Sequence, residues 1–154
     1  MTPKQTVRAF FTNSHYLTLS TTDGVQPWST PLYFATDKEN RLYFVSRKDS
    51  KHSQNIQKNP NISFCIFNSE SDDFSAQCVQ ASGKAYELKL TDALHGLLTI
   101  YQKKHPTVKD ALKRVNFDEV SDLTQNRVYV IQLNQVFVLD ESNPDMDTRV
   151  EVVL

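Results

Sequence analysis

Residues 47–60, "RKDSKHSQNIQKNP", set Arg47, Lys48, Lys51 and Lys58 against a single acid, Asp49, a local net charge of +3 in a chain whose formal net charge is −1. His52 adds a titratable imidazole. Ser50 is a good helix cap, and Asn59-Pro60 is a stop because the residue before proline avoids helical angles, so the spacing predicts a short helix over 50–58. Lys51 and His52 then sit at the positive end of the helix macrodipole, where a cation costs a few tenths of a kcal/mol to about 1 kcal/mol. An anion over that end reverses the sign. It would accept from free backbone N–H groups and the Ser50 hydroxyl and pair with Lys51 and His52, and a phosphate group suits this donor set. Solvated surface charge is the competing reading, and it is kept for Arg47 and Lys48, which precede the helix.

The elements around this helix are mostly strands. A capped helix is predicted over 2–12, with Thr2 as cap, Pro3 in the first turn and Val7, Phe10 and Phe11 as its apolar stripe. "HYLTLSTT" (15–22) alternates, Asp23-Gly24 marks a tight turn, and "QPWSTPLYFAT" (26–36) returns as an extended strand whose Pro27 and Pro31 place it at an edge or bulge. "RLYFVS" (41–46) follows. Further strands are predicted at 61–67, 74–88 and 127–140, with a last one in "TRVEVVL". A second helix is predicted over 92–104, with Leu94, Leu97, Leu98 and Tyr101 on one face and Lys103 and Lys104 near its negative end, and a shorter one over 107–115.

Many strands broken by few helices point to a mainly β fold, a closed or nearly closed antiparallel barrel of Greek-key type with short helices, since closure removes exposed edges. A flat two-layer sheet is the alternative. The 154 residues are read as one domain, 1–154. No apolar run approaches the roughly 20 residues that cross a bilayer, and the first residues lack the regions of a secretory signal, so a cytoplasmic protein with no membrane partner is expected.

Composition removes several functions. The only glycines are Gly24, Gly83 and Gly96, too scattered for a GxGxxG or Walker A loop. A near-neutral charge argues against a protein built to hold nucleic acid. Cys65 and Cys78 have no metal-like spacing and are read as buried free thiols, and His15, His95 and His105 suggest no metal site. Lys103, Lys104, Lys109, Lys113 and Arg114 form a second basic region beside Asp110 and the acidic loop 118–122, read as a solvated face. Tyr33, Phe34, Tyr43, Phe44, Phe64 and Phe67 could stack on bases, as in a single-strand RNA-binding barrel; core packing is preferred, because their strands are nearly continuous apolar runs.

The order "DGVQPWSTPLYF", "LYFVS", "SKHSQNIQKNP", "ISFCIF", "QCVQASGKAYEL", through roughly residues 10–105, resembles the pyridoxamine 5'-phosphate oxidase-like family of FMN-binding split barrels. The resemblance implies FMN held between two subunits of a homodimer. It maps the family's phosphate-binding Ser-Arg-Lys onto Ser50, Lys51 and His52, and places Val45 and Ser46 beside the flavin. Thr30 to Ala35, including Pro31, Leu32 and Tyr33, fall on the segment that runs along ring and ribityl chain. Three departures follow. Thr30 stands where the oxidases proper carry an arginine to the phosphate. Cys78 stands where they carry a glutamine, with Gln80 as substitute on the same strand face. "NPDMDTRVEVVL" lacks the substrate-gripping arginine and histidine, so pyridoxine phosphate oxidation is not implied.

The implied function is a flavin-dependent oxidoreductase acting on a small molecule by two-electron transfer, with reoxidation by NAD(P)H or oxygen. No catalytic acid or base is identifiable in the sequence. A non-catalytic flavin- or haem-binding storage or sensing protein is the alternative from another class.

Overall fold

Period-two alternation sends one side of each strand inward, as in β1, where Leu17, Leu19 and Thr21 are buried between more exposed neighbours. The computed structural model describes residues 1–68, 77–104, 125–140, 142–143 and 148–154. The helix expected at 107–115, the acidic loop 118–122, and His105, Lys109, Asp110, Lys113 and Arg114 lie outside the described residues. The elements are α1 (Pro3–Asn13), β1 (Tyr16–Thr22), β2 (Pro27–Tyr33), β3 (Ala35–Thr36), β4 (Leu42–Arg47), α2 (Lys51–Lys58), β5 (Asn61–Phe67), β6 (Cys78–Glu87), α3 (Leu90–Lys104), β7 (Asn126–Leu139) and β8 (Arg149–Glu151). Thr2 and Gln5 close a reciprocal capping box at the start of α1.

Every pairing is antiparallel, and the strand order is β2-β1-β5-β6-β7-β4-β3, with β8 also paired to β7. The first and last strands of this order are separated in sequence by Phe34 alone. Neighbouring Cα atoms are about 3.8 Å apart, so the sheet must curl until its two ends meet. No ladder joins β2 to β3, and the barrel is therefore split at that seam. The sequence predicts one strand over 26–36; the structure divides it because the chain leaves one end of the sheet at Tyr33 and enters the other at Ala35. Pro27 and Pro31 lie on edge strand β2, where a missing N–H breaks no inner ladder.

The seam is pinned. Phe34 is fully buried, and its N–H donates to the His15 carbonyl at 3.2 Å. The Lys103 ammonium lies 4.0 Å from the centre of the Phe34 ring and donates to the carbonyls of Phe11 and Ser14 at the end of α1. Burial pushes the Lys103 pKa down to about 8, while the carbonyls and the ring face favour its charged form.

The barrel interior is filled by residues such as Leu19, Phe44, Phe64, Ile66, Val79 and Ile131. Outside, α3 covers β3, β4 and β7 through a smaller cluster of Ala35, Tyr43, Ile100 and Val130. Its buried stripe is not the expected one: Leu94 is exposed, whereas Ala93, Gly96 and Ile100 face the sheet. Close approach explains the difference, since a Cβ on Gly96 would stand 2.8 Å from Val128 Cγ1 and 2.9 Å from Tyr43 Cδ1. Of the six aromatics expected in the core, Phe34, Tyr43, Phe44 and Phe64 are buried, Tyr33 is half-buried and Phe67 is exposed. Both cysteines are free and half-buried rather than buried.

Strand β7 pairs with β6 along most of its length, with β4 through its first half and with β8 at its end. Its register passes from Ser82↔Gln135 to Gly83↔Leu133, which leaves Asn134 as an extra residue and bends the strand from one neighbour to the next. A Cβ at Gly83 would meet the Gln132 carbonyl oxygen at 2.3 Å, a backbone atom that cannot rotate away. Gly83→Ala should therefore cost about 2 kcal/mol or more, read as a loss of roughly 5 °C in a thermal melt; an unchanged melting temperature would refute the close approach.

Candidate functional site

Helix α2 is held by its own short sequence. Ser50 caps it, accepting from the Ser53 N–H, and Ile56 buries its apolar side. Asn55 Nδ2 donates to Thr21 Oγ1 at 3.1 Å, tying the helix to β1, and α2 also packs against β2 and β6. The helix start thus faces the end of the barrel where β4 finishes and the β1–β2 turn lies.

Ser46, Ser50, Ser53 and His52 form one hydrogen-bonded group at that start. His52 Nε2 lies 2.6 Å from Ser46 Oγ and 3.1 Å from Ser50 Oγ. The Ser50 hydroxyl is also within donating distance of Ser53 Oγ (2.8 Å) and the Arg47 carbonyl (2.9 Å). His52 is 5% exposed, and burial pushes its pKa below the ordinary value of 6.5, so at neutral pH it is an uncharged imidazole. One of the two apparent cations at the positive end of the dipole is therefore not a cation.

The other is paired. Lys51 Nζ donates to Asp23 Oδ2 at 3.2 Å, with the two side chains 40% and 22% exposed. The same carboxylate organises the β1–β2 turn: Asp23 Oδ1 accepts from the N–H groups of Val25 and Gln26, and Gly24 takes the positive φ of 98° that closes the turn. The N–H bonds of Gln26 and Val25, and then Lys51, hold the Asp23 carboxyl well below the usual carboxylate range. Arg47 is engaged with Asp49 at the surface, in keeping with its reading as solvated charge.

The remaining expected residues divide between the two faces of the sheet. Thr30 and Leu32 point inward with Leu17 and Leu19; Leu32 is core, and Thr30 Oγ1 is buried without a partner. Pro31 and Gln80 face outward at opposite ends of a cross-strand row, Pro31–Thr18–Cys65–Gln80. Gln80 is exposed and three strand spacings from β2, about 14 Å. Tyr33 also faces outward, against Tyr16 and His15, and Val45 is 38% exposed on the outer side of β4. The structure thus brings Ser46, Ser50, Lys51 and His52 together and leaves Gln80 apart from them. Asp23 was missed because in sequence it reads only as turn chemistry, and no local signal marks an ion pair across 28 positions.

A second polar group surrounds Asp37. Its carboxylate accepts from Arg41 Nε at 2.7 Å and the Tyr43 hydroxyl at 2.9 Å and lies 3.6 Å from His95 Nε2. It borders a cleft of about 730 Å³ between α1, α3 and the β3–β4 turn, and none of the expected cofactor residues lines that cleft. Among the described residues no cluster of His, Cys, Asp or Glu could hold a metal ion, and no helix is long and apolar enough to cross a membrane.

With the site's geometry in place, comparison with known proteins decides the family. The sequence profile of the pyridoxamine 5'-phosphate oxidase family matches residues 3–139. The chain belongs to that family. A UPF0306 protein of Pasteurella multocida is 29% identical over 85 residues, which cover 54% of this chain and 57% of that one, so the match spans little more than half of that relative. Among solved structures, a conserved hypothetical protein of Mycobacterium tuberculosis superposes with a TM-score of 0.72 at 16% identity, covering 96% of this chain and 92% of that one. The haem storage protein HutZ of Vibrio cholerae superposes with a TM-score of 0.68 at 19% identity, covering 90% and 95%. At these identities the superpositions establish the shared split-barrel fold.

Burial of His52 has a consequence for stability against pH. Its folded pKa lies below 6.5, so between the two values the unfolded chain binds more protons, and stability falls as pH is lowered through that window. The urea midpoint should be lower at pH 5.5 than at pH 7.5. His52→Gln should flatten this part of the profile, and an unchanged slope in that variant would show that another group sets it.

Proposed function

We propose that the protein binds FMN with the flavin phosphate at the start of α2, and that it is a flavin-dependent oxidoreductase for a small organic substrate, reoxidised by NAD(P)H or oxygen. The observation that carries this reading is the donor set at α2 in a chain of this family: a capped helix start with free N–H groups, the Ser46 and Ser50 hydroxyls, and Lys51 beside them. Bound FMN supplies two-electron redox chemistry. The chain's own part is electrostatic and positional: Ser50 and the first-turn N–H groups orient the phosphate, Lys51 offsets its charge, and neutral His52 fixes the serine hydroxyls without adding a second cation.

Assembly as a homodimer belongs to the same proposal. The outer face of β2, β1, β5 and β6 exposes Tyr16, Phe67 and Tyr86, and Gln80 and Pro31 share that face, so a second copy would cover apolar surface and complete the flavin's surroundings. Light scattering at micromolar concentration should report about twice the 17.7 kDa of one chain. A monomer that still binds FMN would remove the interface from the reading.

Haem binding is the second reading, prompted by the fold shared with the haem storage protein of Vibrio cholerae. Among the described residues the histidines it could use are the exposed His15 and His95, not the buried His52. Absorbance of the purified protein separates the two, with flavin bands near 375 and 450 nm against a Soret band. Lys51→Glu tests the phosphate contact itself. A charge-assisted hydrogen bond is worth roughly 1.5–3 kcal/mol, so FMN affinity should fall at least about tenfold, while riboflavin, which has no phosphate, binds as before. Unchanged FMN binding would reduce the basic cluster to surface charge.

A further inference from the structure

We infer that Asp23 is an internal counter-anion that holds Lys51 until a ligand phosphate displaces it, so that the β1–β2 turn sets the anion affinity of the α2 site. The inference rests on the FMN reading above and adds to it a residue that regulates the contact.

Three observations lead to Asp23. Lys51 is the only charged side chain in the first turn of α2 once His52 is neutral, and its ammonium is already within 3.2 Å of Asp23 Oδ2. With that pair formed, lysine and aspartate cancel, and a phosphate dianion would meet backbone N–H groups and hydroxyls but no net positive charge from the first turn of the helix. Next, the carboxylate is not free to swing away, because its other oxygen accepts from both Val25 and Gln26 and thereby holds the turn. Displacement therefore moves the lysine off Oδ2 and leaves Oδ1 and the turn intact. Finally, both side chains reach solvent, so the pair is weak enough for a doubly charged ligand to break. Asp23 then acts against anions in two ways: it occupies their lysine, and it repels them directly.

The test is equilibrium binding of FMN and of riboflavin to the full chain, followed by flavin fluorescence, for wild type, Asp23→Asn and Asp23→Ser. Both variants keep a side-chain oxygen to accept from the turn N–H groups and lose the charge, so they guard against an effect of misfolding. At low salt each should bind FMN roughly three- to tenfold more tightly than wild type and bind riboflavin as wild type does. The gain should shrink in 0.5 M salt, and in a Lys51→Met background it should fall to the smaller part that direct repulsion supplies; a gain undiminished without Lys51 would overturn the counter-anion role. If FMN binds wild type and both variants alike, Asp23 has no such role and the α2 phosphate site stands. An equal gain for riboflavin would reveal a structural effect and overturn the inference too. If no form binds FMN, the inference falls together with the reading beneath it.

Discussion

Closure of the sheet through one residue is the constraint on which the rest depends. Phe34 must be buried and placed so that β2 ends one edge of the sheet and β3 begins the other. Once it is, the curl of all eight strands follows, and with it a closed interior that two hairpins alone could not supply. The helices serve this closure. Lys103 reaches from α3 to the C-terminal end of α1 with its charge over the Phe34 ring, and α3 shields the outer side of the strands beside the seam. A half-buried cation is tolerated there because the terminal carbonyls of α1 need a donor and the ring offers its negative face.

The same curl determines what the start of α2 is like electrostatically. Thr21 holds Asn55, the turn after β1 brings Asp23 over the helix, and the end of β4 brings Ser46 under it. Of the charges in this stretch, Arg47 is engaged with its neighbouring aspartate and Lys51 with Asp23, while the imidazole, which the formal +3 does not count, is neutral. Charge counted along the chain overstated charge available in space. The uncharged donors, hydroxyls and backbone N–H groups, are the more constant part of the site, and the single lysine is its adjustable part.

Local chemistry made much of this legible in the sequence. Ser50 as a cap, Asn59-Pro60 as a stop, Asp23-Gly24 as a turn and the alternation of 61–67 each act over a few residues, and each element stands where they place it. The edge position of β2 was readable from Pro27 and Pro31 for the same reason. What could not be read depends on distant partners. The split at Phe34 needs knowledge of which edges meet, the face that α3 buries is decided by how closely Gly96 lets it approach Val128, and the pairing of Lys51 crosses from one turn to another helix. Family resemblance supplied expected roles at α2, but it gave no hint of Asp23, whose contact with Lys51 is set by the turn after β1 and not by any motif at the helix.

The bulged strand β7 gives the chain an order of events during synthesis. Without it the sheet falls into two pieces, β2-β1-β5-β6 and β4-β3, which the chain connects through Phe34 and through α2. Residues 126–139 leave the ribosome after both pieces, so β6 and β4 each wait with an open edge until the strand between them arrives. Its ladders span long stretches of sequence, Leu42 to Ile131 among them, and contacts of that separation form slowly. The nascent chain is thus exposed to mispairing until that strand has been made. Asn134 and Gly83 then serve as more than a corner: a bulge fixes the register in which the late strand can seat, and a slip by one residue would drive the Gln132 carbonyl into a side chain wherever the partner is not glycine.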